Sequence, residues 1–70
     1  MAIQIGDTVT WEWGNGTAEG SVTQIYTQKV TKTIKGTGVT RHASEKEPAY
    51  LIEQSDGDEV LKSCTEVQKA

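Results

Sequence analysis

Cys64 and His42, the only cysteine and the only histidine in the chain, are the one thiol–imidazole pair that could act as nucleophile and base. A lone cysteine is more often a small buried hydrophobe than a nucleophile. Ser44, two residues from His42, sits at a spacing that strands and loops produce by chance. One histidine and one cysteine fall short of the roughly four ligands of a zinc site. Asp56, Asp58 and Glu59 lack the further ligands at fixed spacing that a calcium loop requires, and the chemistry of an Asp-Gly turn accounts for them. Gly14, Gly16 and Gly20 do not open a helix, so they make no phosphate cradle. These residues point away from an enzyme: no catalytic set, no metal site and no cofactor site are expected.

Binding chemistry is better represented. The aromatic residues are Trp11, Trp13, Tyr26 and Tyr50, with Glu12 and Glu53 beside some of them in sequence. Aromatic faces near a carboxylate can hold a methylated ammonium, at about 0.5–2 kcal/mol per ring. The more economical reading is that the four rings are the bulk of a small core that has no phenylalanine. Trp13 ends its strand beside Gly14 and is the tryptophan expected at the surface; Trp11 lies deeper on the same face. Lys29, Lys32, Lys35 and Arg41 form a second set that could track a phosphate backbone, with Tyr26 to stack on a base. As solvated hairpin charge they would instead discourage edge-to-edge strand pairing. The candidate ligand surface is therefore Trp13, Tyr26 and Tyr50 with Lys29, Lys32, Lys35 and Arg41, framed by the loops Gly14–Gly20 and Lys35–Arg41. A protein or peptide segment is the expected partner. RNA or DNA bound through the basic 29–42 hairpin is the alternative, and oligomeric state is left open.

What positions these residues must be small. Seventy residues are expected to make one domain spanning 1–70, and a chain of this length buries only about 60% of its unfolded surface. A single cysteine allows no internal disulfide, so the apolar core or a partner chain must supply the stability. The ten threonines, six valines and five isoleucines, against two leucines, favour pleated, half-buried strands. No apolar run approaches 18 residues and the first seven residues form no leader-like apolar segment, so a soluble, cytoplasmic protein with no membrane partner is expected. The net charge of −3 is unevenly spread: the segment between Glu19 and Glu45 holds +4 and the remainder −7. A basic centre sits inside an acidic frame.

Alternation in Thr8-Val9-Thr10-Trp11-Glu12-Trp13 puts Val9, Trp11 and Trp13 on one strand face. In Gly20–Thr27, Val22 and Ile25 are an odd number apart; either a β-bulge reconciles them or Val22 shares its face with Tyr26. The two glycines of Lys35-Gly36-Thr37-Gly38 read as a loop joining 29–34 to 39–41, with few apolar positions to bury. Asp56-Gly57 sits between two further strands. Ser63 and Glu66 have the spacing of a capping box on a short helical turn, which returns Val67 to plug the barrel. The expected fold is all-β, a five-stranded, strongly bent SH3-like sheet with strands near 7–13, 20–27, 29–34 plus 39–41, 49–54 and 59–62. Its core is Val9, Trp11, Val22, Ile25, Ile52, Val60 and Val67, with Ile5 against one end and Tyr50 on the face of Ile52.

Five segments carry a family resemblance: Gly6-Asp7-Thr8-Val9-Thr10-Trp11, Gly16-Thr17-Ala18-Glu19-Gly20-Ser21-Val22, Thr40-Arg41, Pro48-Ala49-Tyr50-Leu51-Ile52-Glu53, and Asp56-Gly57-Asp58-Glu59-Val60-Leu61-Lys62. Together they resemble the hypervirulence-associated Tudor domain family over nearly the whole chain. The resemblance implies a Tudor-like, SH3-type barrel and little about activity, since it brings no known substrate or site; barrels of this kind generally serve as binding or scaffold modules. A shorter likeness, through Gly6-Asp7-x-Val9 and Gly20-x-Val22, is to the KOW motif of ribosomal and transcription proteins.

Overall fold

The computed structural model describes residues 3–70, and its most buried strand is β5, Ala49–Glu53. The other strands are β1 (Thr8–Trp13), β2 (Gly16–Tyr26), β3 (Val30–Ile34), β4 (Thr37–Arg41), β6 (Glu59–Ser63) and β7 (Gln68–Lys69). A 3-10 turn, Cys64–Glu66, joins β6 to β7. Five strands form one antiparallel sheet in the order β6-β5-β2-β1-β7, while β3 and β4 form a separate two-stranded sheet inserted between β2 and β5. The fold is all-β, as expected, but the membership differs. The segment 29–41 is not the third strand of the barrel; β5 takes that place, and the fifth strand is β7, which the local sequence pattern does not announce.

Closing so few strands over a core needs a sharp bend in β2, and two local devices supply it. At Gly20, opposite Val9, an added Cβ would lie 2.6 Å from Ile52 Cγ2 and 2.7 Å from the Glu53 carbonyl oxygen. Only hydrogen lets the strands approach that closely. Further along, the register with β5 slips between Val22 and Gln24, leaving Thr23 as an extra residue. Thr23 Oγ1 donates to the Leu51 carbonyl at 3.2 Å, where the ladder is interrupted. The bulge settles the parity conflict: Val22 pairs with Ile52 and Ile25 with Tyr50, so all four reach the inner face.

The inner face carries the main core of Val9, Trp11, Val22, Tyr50, Ile52 and Val67, with Ile3, Ala18, Ile25, Val60 and Cys64 half-buried against it. Ile25 and Val60 thus border the core rather than fill it. Ala49, Leu51 and Leu61 are also buried, but on the opposite sheet face. On that side β3 and β4 lie against β6, and their inward positions Val30, Lys32, Ile34, Val39 and Arg41 are half-buried. The hairpin therefore buries more than its few apolar residues suggest.

Ile5 does not pack against the barrel's end. It is 63% exposed, at a corner of the turn that Asp7 N closes by donating to the Gln4 carbonyl at 3.0 Å. Gly6 takes φ 95 in that turn, and the Asp7 carboxylate accepts from Gln4 N at 2.9 Å. Strand β2 begins at Gly16, so the expected Gly14–Gly20 loop shrinks to a tight turn at Gly14-Asn15. Likewise Thr37 and Gly38 belong to β4, and only Lys35-Gly36 makes the turn. The capping box is present: Ser63 Oγ accepts from Thr65 N and Glu66 Oε1 accepts from Ser63 N at 2.8 Å. No helix among the described residues is long and apolar enough to cross a membrane.

Because the Cβ clash at Gly20 involves backbone, Gly20→Ala should lower unfolding stability by about 1–3 kcal/mol, the usual range for overpacking. Gly16→Ala is the matched control, since an added methyl there meets nothing within 4 Å and the backbone has no positive φ. Urea denaturation of both variants checks this; equal midpoints would show that β2 and β5 can separate without loss.

Candidate functional site

Strand β1 outlasts the core it serves. Val9 and Trp11 are covered, but Trp13, next on the same face, remains 67% exposed. Beside it lies the turn between β5 and β6, where Gln54 N donates to the Asp58 carbonyl at 2.7 Å and Gly57 N to the Gln54 carbonyl at 2.9 Å. Asp56 Oδ1 accepts from Asp58 N at 2.9 Å, which holds the two carboxylates on one short turn. Trp11, Trp13, Ala18 and Val60 give the resulting groove, about 420 Å³, its apolar wall. Gln54 and the charged Asp56, Asp58, Lys35 and Lys62 give it a polar rim. A larger groove of about 610 Å³ runs on the other side of Trp11, past Thr10, Glu12, Lys62, Glu66 and Gln68. There Glu66 and Lys62 are engaged in the capping box and its ion pairs, whereas the smaller groove is the one that holds the exposed Trp13 ring.

The expected site residues do not converge. Tyr50 is 4% exposed and belongs to the core; pairing with Ile25 fixes its ring inward, so it offers no face to a ligand. Burial, and secondarily the neighbouring Cys64, push its hydroxyl pKa up. Tyr26 is half-buried opposite Ala49, which places it on the sheet face away from Trp13. No aromatic cage is built from these rings. Lys29 is exposed just before β3, and Lys32 lies on the hairpin's inward face opposite Val39. Lys35 Nζ is 2.8 Å from Asp58 Oδ2, and its pKa is raised by that hydrogen bond and by the charge of the same carboxylate. Arg41 Nε donates to Glu66 Oε1 at 2.9 Å, and its Nη1 to the Thr40 carbonyl at 3.0 Å. Two of the four basic groups are thus engaged inside the molecule, and the four share no single face.

Sequence reasoning missed Asp56 and Asp58 as site residues, because their turn chemistry was a sufficient explanation of them. The available signal was the position of that turn, which closes β5 and β6 at the end of the sheet where Trp13 closes β1. Among the described residues no three His, Cys, Asp or Glu side chains gather as metal ligands.

A five-stranded barrel of this order, with an inserted hairpin and an open aromatic end, defines a small Tudor-like domain. The chain belongs to the family described as the hypervirulence associated proteins TUDOR domain, whose model matches residues 6–67. Comparison with the curated proteins and with the solved structures gave no significant match.

A soluble quencher should reach the Trp13 indole and leave Trp11, 6% exposed, shielded. Trp13→Phe should therefore retain only the shielded emission, and equal quenching of Trp13→Phe and Trp11→Phe would remove Trp13 from the surface. A second expectation concerns Glu66. Burial pushes its carboxyl up, but the Ser63 N–H, the Arg41 guanidinium and Lys62 outweigh that and hold it below the usual range. Its contribution to stability is then present above the unfolded value of about 4.3 and lost as pH falls through the lower folded value. The side chain is 36% exposed, so solvent screening keeps the effect modest. Thermal unfolding at pH 7 and pH 3 should show Glu66→Gln less stable than the parent at pH 7 and the two converging in acid.

Proposed function

We propose that the chain acts as one non-enzymatic binding module for a protein segment, and that the segment docks on the Trp13 groove through a cationic side chain. The observation that carries this reading is the exposed Trp13 ring beside the Asp56–Asp58 turn. An indole face attracts a guanidinium or ammonium, and a carboxylate at the rim adds charge complementarity and disfavours acidic segments. The family supports a small binding module in general. Recognition would rest on one ring and two carboxylates, so single contacts of modest affinity are expected.

Nuclear magnetic resonance titration with the peptide acetyl-Gly-Arg-Gly-Lys-Gly-amide tests this. Shifts should centre on the Trp13 indole N–H, the Gly14-Asn15 turn and the amides of Gln54–Asp58. Trp13→Ala should weaken binding by about five- to thirty-fold, the equivalent of roughly 1–2 kcal/mol of ring contact. The acidic counterpart, acetyl-Gly-Glu-Gly-Asp-Gly-amide, should leave those resonances in place. Shifts confined to the β3–β4 hairpin on adding an oligothymidine, with steep salt dependence and no response to the cationic peptide, would give the site to nucleic acid instead.

A further inference from the structure

We propose that Lys35 is a resident competitor at the rim of the Trp13 groove, an intramolecular cation that a partner's cationic side chain must displace from Asp58. This rests on the groove being a cation site, and it adds that the chain supplies its own competitor from the β3–β4 hairpin. Three observations converge. Lys35 is the only non-glycine residue with positive φ among those described, at 52°, in a two-residue turn where asparagine or glycine would fit with less strain. A lysine kept in such a position is explained by what its side chain does. That side chain reaches across to Asp58 at 2.8 Å and lines the groove together with Trp13.

The third observation is how the hairpin is attached. It shares no hydrogen-bonded ladder with the five-stranded sheet, so its tip can shift without breaking a strand pair. The ion pair is itself exposed, 69% at Lys35 and 39% at Asp58, which makes it exchangeable for an equivalent cation. Lys62, the other cation on the rim, approaches Glu66 at 3.9 Å, toward the far end of β6. With Lys35 withdrawn, Asp58 loses its ion-pair partner, and Asp56 and Asp58 outnumber Lys62 on the rim. With Lys35 in place, the groove selects for segments that outbid a single lysine, either through arginine's paired donors or through added contact with the Trp13 ring.

The test uses Lys35→Asn, which removes the cation and suits the same backbone, with Lys35→Gly as a second variant. N-acetyl-L-arginine amide and N-acetyl-L-lysine amide serve as probes, with N-acetylglycine amide as the neutral control, and the Trp13 indole N–H is followed by nuclear magnetic resonance. Both variants should bind the cationic probes about two- to five-fold more tightly than the parent, the range expected for releasing an exposed ion pair. Adding Asp58→Asn to either variant should reverse the gain. Equal affinity in parent and variants, at shifts centred on Trp13, would overturn the role of Lys35 and leave the cation site standing. No binding to parent or variants would sink the cation site, and the role of Lys35 with it.

Discussion

Strand β5 is buried on both faces, and the rest of the molecule is arranged around that constraint. Ala49, Tyr50, Leu51 and Ile52 are all buried in succession. A barrel of five short strands can close over only one face, and here it closes over Tyr50 and Ile52. Leu51, with Leu61 opposite it, faces the other way and needs separate cover. Burying two leucines is worth about 1.5–3 kcal/mol each. In a domain whose whole stability is of the order of 5–15 kcal/mol, that is a large share. The β3–β4 insertion is thus part of the fold's stability, not an ornament on a complete barrel.

How the insertion is held explains the uneven charge. Lys35 at its tip meets Asp58 before β6 begins, and Arg41 at its base meets Glu66 after β6 ends. The hairpin therefore runs along the whole of β6 with an ion pair at each extremity. Such exposed pairs add little stability, typically about 0–1 kcal/mol, but their positions fix direction and register. The half-buried Val30, Ile34 and Val39 supply the adhesion. A basic segment inside an acidic frame is then a basic hairpin docked on an acidic barrel. Glu66 is the busiest junction, since one carboxylate closes the 3-10 turn, receives Arg41 and approaches Lys62.

Much of this was legible in local chemistry. The odd spacing of Val22 and Ile25 left a choice between a bulge and a face shared by Val22 and Tyr26, and the bulge is what forms. Ser63 and Glu66 announced their cap, and Asp56-Gly57 its turn. What failed to show was non-local. Nothing in Gln68-Lys69, two polar residues, marks a strand; its pairing exists because Val67 is drawn into the core and carries the chain back beside Val9 and Thr10. The split between hairpin and barrel was invisible for a similar reason, since periodicity reports which residues share a face but not which strand lies alongside. The unbroken apolar run Ala49–Ile52 was the available clue to two buried faces. Tyr50 could be read as ligand-facing or core until its partner Ile25 was known.

The open aromatic site is a geometric remainder of the same construction. Along β1 the inward residues are Val9, Trp11 and Trp13, but β7 pairs only with Val9 and Thr10. Opposite the far end of β1, β2 begins at Gly16, which has no side chain to set against Trp13. The inward stripe therefore runs past the last layer able to cover it, and a large indole is left at the mouth of the barrel. A core position with no core above it would ordinarily be expected to hold a polar residue, since an exposed tryptophan gives up most of the burial energy available to it. Here the ring shares a groove with two carboxylates on a hydrogen-bonded turn, Asp56 held by the Asp58 N–H and Asp58 by Lys35. Apolar surface beside charge carried on a hydrogen-bonded turn suits recognition of a mobile cationic side chain, because the turn need not be ordered when the ligand arrives.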